Sequence, residues 1–258
     1  MTIKFYKYQG TGNDFVMIDN RDLNIDKTDL SVARTLCDRK FGIGADGLIL
    51  IESHPELDFE MIYFNADGTQ SFCGNGSRCA VAFAYELGMI QNSTKFMAID
   101  GIHDAKITED RVELKMADNP SFEEQENFFF IHTGSPHYIE YRNNVSEMRL
   151  VSEAQKIRYN ERFNKEGTNV NYVEKLSDNS LKMRTYERGV EDETLSCGTG
   201  ATAVALSGSA KFDLASPVSI HVPGGELEIK FNKTTEKDFT DIWLIGPADK
   251  VFEGEITF

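Results

Sequence analysis

The strongest constraint on the fold of this chain is an internal repeat. The segment Thr11–Asn13 (TGN) is matched 122 residues later by Thr133–Ser135 (TGS), and Cys73–Gly76 (CGNG) is matched 124 residues later by Cys197–Gly200 (CGTG). Two further pairs keep the same order and nearly the same offset: Phe41 with Phe163, and Gly101 with Gly225. Repetition at a fixed spacing indicates two copies of one structural unit. We therefore predict two structurally similar domains, residues 1–117 and 118–258.

Local patterns predict mixed α/β structure in both halves. Short runs rich in β-branched and aromatic residues, bounded by Gly, Asn, Asp and Pro, favour strands. The predicted strands are 3–8, 15–19, 48–52, 59–64, 95–100, 111–116, 128–132, 138–141, 170–175, 181–186, 218–222, 226–231 and 241–245. Helices are predicted at 30–39, 77–87, 151–159 and 201–210, and Gly88 should end the second. The fourth, ATAVALSGSA, is small or apolar nearly all round, which is typical of a buried helix. We expect each domain to wrap its strands around one central helix.

The two CGxG segments are the most informative chemical feature. Each cysteine, Cys73 or Cys197, precedes a predicted buried helix, and the unpaired N–H groups at a helix N-terminus lower a thiol's pKa. The N–H groups of Gly74-Asn75 and of Gly198-Thr199 could hold a substrate carboxylate. A thiolate on one face of a carbon and a thiol on the other can remove and return a proton. We predict that Cys73 and Cys197 are paired acid/base catalysts.

Composition excludes several other classes of protein. The net charge of −15 disfavours nucleic acid and acidic membranes as partners. No apolar run approaches the ~20 residues of a membrane span, and the first residues lack a secretory signal, so we expect a cytoplasmic protein with reduced thiols. The four cysteines lack C-x2-C spacing, so no metal is expected. Gly10-x-Gly12 lacks a third glycine, which argues against a nucleotide cofactor. We expect Cys37 and Cys79 to be core thiols.

Several motifs together resemble the diaminopimelate epimerase family along nearly the whole chain. The matching segments are Gly10–Val16 (GTGNDFV), Gly42–Gly47 (GIGADG), Phe64–Gly68 (FNADG), Cys73–Cys79 (CGNGSRC), Pro136-His137, Asn169–Asn171 (NVN), Tyr186–Gly189 (YERG), Cys197–Gly200 (CGTG) and His221–Gly225 (HVPGG). The resemblance implies two α/β domains, each a barrel-like mixed sheet around a central helix, with the active site in a cleft. It also suggests that strand 251–258 returns to the first domain.

The resemblance further implies the reaction and the roles of individual residues. The reaction interconverts LL- and meso-2,6-diaminopimelate without pyridoxal phosphate, any other cofactor or a metal, and serves lysine and cell-wall synthesis. Cys73 and Cys197 correspond to the acid/base thiols, and Asn13 to a substrate-orienting amide. Asn65, Asn169 and Arg188 correspond to the group that binds the distal end of the substrate, with Arg188 gripping its carboxylate. Glu187 and His137 correspond to polar groups near the thiols and the reacting amine.

Two positions depart from the family pattern. Many members carry Asn where this chain has Ser135, whose shorter hydroxyl is retained as a candidate ligand. Some carry Gln where this chain has Gly47, which has no side chain and is left out of the candidate site. Both departures concern how the reacting amine is oriented.

Other functions stay open at this point. Proline racemase or hydroxyproline epimerase would share the fold and both cysteines, but a substrate with one carboxylate would leave Arg188, Asn65 and Asn169 without a purpose. A phenazine-type isomerase would use a carboxylate as its base. A thiol redox protein would need its cysteines close in sequence. A non-catalytic amino-acid-binding module would not need a thiol on each face of its ligand. The sequence leaves the oligomeric state open, and a homodimer is one candidate assembly.

Overall fold

The computed structural model describes residues 2–108 and 111–257. Residues 1, 109 and 110 of the predicted first domain, and residue 258 at the end of predicted strand 251–258, lie outside the described residues. The chain divides into two compact units, one formed by Met1–Leu114 with Gly246–Phe258 and the other by Lys115–Ile245. Among the described residues, no helix is long and apolar enough to span a membrane.

Unit 1 contains two helices and a mixed sheet. Its elements are β1 (Thr2–Gly10), β2 (Asn13–Asp19), α1 (Leu30–Cys37), β3 (Gly47–Glu52), β4 (Phe59–Asn65), α2 (Gly74–Glu86), β5 (Ser93–Ala98), β6 (Gly101–Ile107), β7 (Val112–Lys115) and, from the C-terminal segment, β17 (Asp249–Thr257). Strand β17 pairs with β1 along nearly its whole length, from Thr2 opposite Thr257 to Gln9 opposite Asp249.

Unit 2 also has two helices and a mixed sheet, and adds a 3₁₀ turn and the short strand β13 (Asp192–Thr194). Its elements are β8 (Ser121–Glu124), β9 (Phe129–His132), β10 (Pro136–Tyr141), the 3₁₀ turn (Val145–Glu147), α3 (Leu150–Arg158), β11 (Asn169–Ser177), β12 (Ser180–Glu187), β13, α4 (Gly198–Phe212), β14 (Val218–Val222), β15 (Gly225–Lys233) and β16 (Phe239–Gly246).

The strand pairings show that both units follow one plan. In unit 1 the order β17-β1-β2-β3-β4-β5-β6-β7 is joined by antiparallel, antiparallel, parallel, antiparallel, parallel, antiparallel and antiparallel pairs. In unit 2 the order β8-β9-β10-β11-β12-β14-β15-β16 has the same succession. Strand β17 therefore takes in unit 1 the place that β8 takes in unit 2.

A central helix lies against several strands of each sheet. Helix α2 packs against β1, β2, β3, β4 and β6, and α4 packs against β9, β10, β11, β12, β14 and β15. Strand β3 (GLILIE) is buried at every position because α2 covers one of its faces and α1 the other. Helix α4 is buried almost all round, as its small residues predict; a side chain at Gly208 would come within 2.7 Å of Leu181. The predicted mixed α/β class with a central helix is confirmed.

Both central helices begin three residues earlier than predicted. Helix α2 starts at Gly74 rather than Ser77, and α4 at Gly198 rather than Ala201. Glycine lowers helix propensity, which is why the sequence favoured a loop there. The glycines stay in the first turn because neighbours lie close: a Cβ on Gly76 would be 3.1 Å from the Ile49 side chain, and one on Gly200 would be 2.9 Å from Asn171. Gly88, with φ of +70°, ends α2 as predicted.

Candidate active site

Each catalytic candidate is the N-cap residue of a central helix. Cys73 (φ −134°, ψ 111°) and Cys197 (φ −133°, ψ 108°) have nearly the same extended backbone conformation before α2 and α4. The first N–H groups of each helix, including those of Gly74 and Gly198, lack an acceptor within the helix and lie at its positive end. Cys73 Sγ accepts a hydrogen bond from the Gly76 N–H at 3.4 Å. The backbone thus presents two helix N-termini of nearly the same conformation, one in each unit.

In unit 1, the amide of Asn13 lies beside the Cys73 thiol. Asn13 Oδ1 is 3.6 Å from Cys73 Sγ and accepts from Asn75 Nδ2 at 3.4 Å. Asn13 Nδ2 donates to Asp46 Oδ2 at 2.7 Å, and this carboxylate contact fixes which end of the amide faces the sulfur. Three predicted residues, Asn13, Cys73 and Asn75, therefore come together.

An ionic cluster holds the Asn13 segment in place. Asp14 pairs with the buried Lys7 at 2.7 Å and with Arg39 at 2.7 Å, and Arg39 also contacts Asp46 at 2.8 Å. Burial raises the pKa of Asp14, but hydrogen bonds from Arg39 and Lys7 outweigh that effect and lower its pKa to about 2. Asp14 is therefore ionised near neutral pH and anchors the start of β2.

Arg78 is an unusual charge within the same unit. It is fully buried on α2, where Nη2 donates to Thr11 Oγ1 at 3.1 Å and Nε to the Pro247 carbonyl at 3.4 Å. Its Nη1 has no hydrogen-bond partner among the described residues. Burial lowers the pKa of this guanidinium. A desolvated cation with only neutral partners favours a nearby anion.

Asn65 lies at the end of β4, where three side chains hold its amide. Tyr63 Oη donates to Asn65 Oδ1 at 2.9 Å, and Asn65 Nδ2 donates to Thr69 Oγ1 at 3.0 Å and to Ser71 Oγ at 3.2 Å. The Tyr63 ring fills the space beside Gly47, since a Cβ on Gly47 would lie 2.4 Å from it. Glycine at position 47 thus makes room for the tyrosine that orients Asn65.

In unit 2, a hydrogen-bonded chain leads to the Cys197 sulfur. Thr199 Oγ1 is 3.5 Å from Cys197 Sγ and 2.9 Å from His137 Nε2. His137 is fully buried, and burial lowers its pKa to about 3, so the ring is neutral at physiological pH. The predicted group of His137, Thr199 and Cys197 is thereby brought together.

Asn171 completes this chain behind the histidine. Its Nδ2 donates to the Tyr138 carbonyl at 3.0 Å and lies 3.2 Å from His137 Nδ1, while its Oδ1 accepts from Thr185 Oγ1 at 2.9 Å. The sequence placed Asn171 in a motif but gave it no role. Its position two residues after Asn169, on the same face of β11, was the available signal.

Ser135, Asn169 and Arg188 form a second polar group in unit 2. Asn169 Nδ2 donates to Ser135 Oγ at 2.9 Å, and Asn169 Oδ1 accepts from the Arg188 N–H at 2.9 Å. Arg188 Nη2 is 3.5 Å from Ser135 Oγ, and Nη1 donates to the Glu166 carbonyl at 3.0 Å. The guanidinium is therefore oriented by neutral acceptors and can still bind a carboxylate.

Two remaining features complete this region. The sequence did not predict a role for Gly167. Its φ is +77°, and a Cβ at this position would lie only 2.5 Å from the Cδ of Arg188, so glycine leaves room for that side chain. Glu187 precedes Arg188 in the sequence but has a different partner. Its Oε2 accepts from Thr194 Oγ1 at 2.9 Å.

The other two cysteines have core environments. Burial raises the pKa of Cys37 to about 12 and raises that of the fully buried Cys79 as well. Both therefore remain thiols at neutral pH. Within the described ranges, no three His, Cys, Asp or Glu side chains lie close enough to hold a metal ion.

Solved structures of a phenazine biosynthesis protein and of a hydroxyproline epimerase share this fold. The chain superposes on a Bacillus anthracis phenazine biosynthesis protein of the PhzF family with a TM-score of 0.76, at 14% identity and full coverage of both chains. It also superposes on a hydroxyproline epimerase from Agrobacterium vitis with a TM-score of 0.68, at 14% identity, covering 99% of this chain and 92% of that one. At this identity the match defines the fold class, an epimerase-type fold of two repeated α/β units.

Sequence comparison then identifies the family. The family model described as diaminopimelate epimerase matches residues 5–122 and 129–251. The diaminopimelate epimerase of Flavobacterium psychrophilum is 50% identical over 257 residues, covering 98% of this chain and all of that protein. That of Aquifex aeolicus is 39% identical, with 99% and 98% coverage. The chain belongs to the diaminopimelate epimerase family and is an isomerase, which confirms the resemblance found in its motifs.

Proposed function

We propose that this protein interconverts LL- and meso-2,6-diaminopimelate by moving one α-proton between two cysteines. The observation that carries the proposal is that a cysteine caps the buried central helix of each unit, in a chain whose family is diaminopimelate epimerase. One thiolate removes the α-proton and the opposite thiol returns a proton from the other face. The two thiols exchange protonation states with each turnover, and the reverse reaction uses them in the opposite order.

The helix N-termini stabilise the charge that develops during the reaction. Loss of the α-proton delocalises negative charge onto the substrate α-carboxylate. The N–H groups of Gly74 and Asn75 in α2, and of Gly198 and Thr199 in α4, are suited to hold that carboxylate. Removing an oriented donor of this type typically costs about 10²–10³ in kcat. The backbone carries this part of catalysis.

The distal end of the substrate is bound by a separate group. Arg188 is suited to a bidentate contact with the distal carboxylate; Asn169 accepts from its backbone N–H, and Ser135 lies beside its guanidinium. Asn65 contributes an amide held by Tyr63. Glu187 is suited to pair with an ammonium group. A substrate with charged groups at both ends uses all of these residues, whereas proline or hydroxyproline would leave Arg188 without a partner.

Proton NMR in D₂O tests both the reaction and the substrate. We expect the reduced protein to exchange the α-proton of meso-diaminopimelate for deuterium and to produce the LL isomer. The variants C73S and C197S should lose epimerisation, and C37S is the matched control because Cys37 is a buried thiol with a raised pKa. Exchange with L-proline or hydroxyproline instead would move the protein to the rival activity. Absence of exchange with all three substrates would refute the two-thiol mechanism.

We also propose that the protein acts in the cytoplasm, in lysine and peptidoglycan precursor biosynthesis, as a homodimer. Exposed apolar side chains on unit 1 support self-association: Tyr85 is 50%, Val251 56% and Phe252 47% exposed. Light scattering after size-exclusion chromatography tests this. A monomeric mass at micromolar concentration would refute the dimer, and V251E with F252E should shift a dimer toward monomer.

A further inference from the structure

The repeat places different side chains behind the two catalytic cysteines. A Cβ on Gly76 would contact Ile49, Cys73 and Phe15, whereas a Cβ on Gly200 would contact Asn171, Cys197 and His137. The two glycines are equivalent positions of the CGxG segments. The apolar pair Phe15 and Ile49 therefore lies near Cys73, and the polar pair His137 and Asn171 lies at the corresponding positions near Cys197. All four side chains are fully buried.

Hydrogen bonding fixes the orientation of the Asn171 amide. The Tyr138 carbonyl, 3.0 Å away, can only accept, so the atom facing it must be the Nδ2 donor. Thr185 Oγ1 donates to Oδ1 on the other side at 2.9 Å. The second Nδ2 proton then points to His137 Nδ1 at 3.2 Å. Nδ1 is consequently the acceptor and carries no proton.

The proton on His137 must accordingly reside on Nε2. Burial keeps the ring neutral, so it carries one N–H only. Nε2–H donates to Thr199 Oγ1 at 2.9 Å, which uses one of the two lone pairs of the hydroxyl, and a Cys197 thiolate can only accept from that hydroxyl. The hydroxyl's own proton remains for Cys197 Sγ at 3.5 Å. Every step of the chain runs in one direction, toward the sulfur.

We propose that Asn171 is a positioning residue that fixes His137 as the Nε2–H tautomer and so turns the Thr199 hydroxyl to donate to Cys197. A hydrogen bond donated to sulfur stabilises the thiolate over the thiol. Cys197 is therefore assisted by a neutral donor chain, which acts in addition to the N–H groups at the N-terminus of α4. The charged groups that act on His137 are His132 and Arg188, and both disfavour a second proton on the ring.

The described side chains around Cys73 differ from those around Cys197. Phe15 and Ile49 occupy the places of His137 and Asn171, and a side-chain atom facing Cys73 Sγ is Asn13 Oδ1, an acceptor. Donors to Cys73 come from the Gly76 N–H, while positive charge comes from the buried Arg78. A substitution at Asn171 should thus affect one cysteine of the pair and leave the other unchanged.

Nitrogen NMR of the histidine ring tests the tautomer directly in the unmodified protein. With ¹⁵N-histidine labelling, His137 should show a protonated Nε2 and an unprotonated Nδ1, constant from neutral pH down to the acid limit of the fold. A protonated Nδ1 in the wild-type protein would overturn the proposal. This measurement needs neither turnover nor substrate.

The thiol pKa values test the consequence for Cys197. Alkylation by iodoacetamide, mapped by mass spectrometry, gives the midpoint pH of each cysteine; Cys37 and Cys79, with raised pKa values, serve as internal references. In N171L the thiolate-to-thiol ratio of Cys197 should fall about tenfold or more, as expected for losing a hydrogen bond to a charged group. The midpoint of Cys73 should not move, and the control I49V should shift neither cysteine.

A second pair of variants keeps the test decisive if N171L fails to fold. T199V removes the hydroxyl and should raise the Cys197 midpoint as N171L does, whereas T199S retains it and should restore the wild-type value. Equal midpoints for T199V and T199S, or a matching shift of Cys73, would refute the chain.

Turnover gives an independent readout that rests on the proposed function. In N171L the pH profile of kcat/KM should shift toward higher pH, and by the same amount in both substrate directions, because the equilibrium constant fixes the ratio of the two kcat/KM values. If wild-type protein shows the predicted tautomer and alkylation midpoints but no epimerisation, the proposed function fails and the role of Asn171 stands. If epimerisation is present but the kcat/KM profile of N171L matches that of the wild-type protein, the role of Asn171 is refuted.

Discussion

The paired glycines Gly76 and Gly200 give the sharpest quantitative prediction. Both occupy the third position of a central helix, and each is replaced by alanine in turn. A Cβ at position 200 would lie 2.9 Å from Asn171 Oδ1, 3.2 Å from His137 and 3.3 Å from Cys197. A Cβ at position 76 would lie 3.1 Å from the terminal Cδ1 of Ile49, with its other neighbours at 3.5 Å. The same substitution thus meets a rigid polar group in one unit and a flexible methyl group in the other.

The expected costs follow from those contacts. In G200A, overpacking contributes about 1–3 kcal/mol and displacement of the Asn171–Thr185 hydrogen bond about 1–3 kcal/mol, offset by at most about 1 kcal/mol of helix propensity. The net destabilisation is about 1–6 kcal/mol. In G76A the Ile49 methyl can rotate away, and the same gain in propensity brings the change to within about 1 kcal/mol of zero.

Urea unfolding measures the two changes separately. Trp243, the single tryptophan, lies on β16 of unit 2, so its fluorescence follows the unit that contains Gly200. Far-ultraviolet circular dichroism follows both units, and unchanged m-values would show that compactness is preserved. Equal loss of stability in G200A and G76A, or a larger loss in G76A, would refute the reasoning. A selective loss in G200A with a shifted Cys197 alkylation midpoint would support it.

Three further predictions follow from the site. G167A should raise KM about tenfold or more by displacing Arg188. The control G88A changes a glycine of similar positive φ with open space around it and should lose only stability. Equal KM values for the two variants would contradict this. Burial lowers the pKa of His137 from 6.5 to about 3, so its contribution to stability is complete above pH 6.5 and declines as pH falls toward 3. The free energy of unfolding changes by at most about 1.4 kcal/mol per pH unit through this group. In H137Q the urea midpoint should depend less on pH between pH 6.5 and about 5 than in the wild-type protein, and the same pH dependence in both proteins would argue against this. R78M should lose about tenfold or more in kcat/KM, with a change in the free energy of unfolding under about 2 kcal/mol, because removal of a desolvated charge offsets the loss of its hydrogen bonds. Activity lost only in proportion to unfolding would contradict this. The variant R78K separates the effect of charge from that of geometry.

The repeated architecture was predictable because its signals are local or periodic. A short window of sequence is enough to recognise the strand runs, the helix-ending Gly88 and the two CGxG segments. The helix starts were wrong by three residues for a physical reason. Gly74 and Gly198 have low helix propensity, and only tertiary contacts made by Gly76 and Gly200 show why they remain helical.

The partners of the candidate residues could not be predicted from spacing. Asp46, which fixes the Asn13 amide, is 33 residues away from it, and Tyr63 orients Asn65 only because Gly47 leaves it room. Hydrogen-bond direction is likewise a property of the assembled site. The roles assigned to the site residues stay predictions until the variants are measured.

The repeat constrains the chemistry as well as the fold. Moving a proton across a carbon needs two groups of similar basicity, and duplicating one unit supplies two thiols at equivalent helix ends. Perfect duplication would, however, give each thiol the same surroundings, and the substrate's two faces are not the same. Replacing an apolar pair, Phe15 and Ile49, with a polar pair, His137 and Asn171, changes the hydrogen bonding of one sulfur without moving either helix. Because the polar pair is neutral and buried, it tunes Cys197 without adding a charge that would compete for the substrate's ammonium or carboxylate groups. One divergence between the units therefore lies in the side chains behind the cysteines, where we propose that it alters the proton affinity of Cys197 and leaves the shared backbone geometry intact.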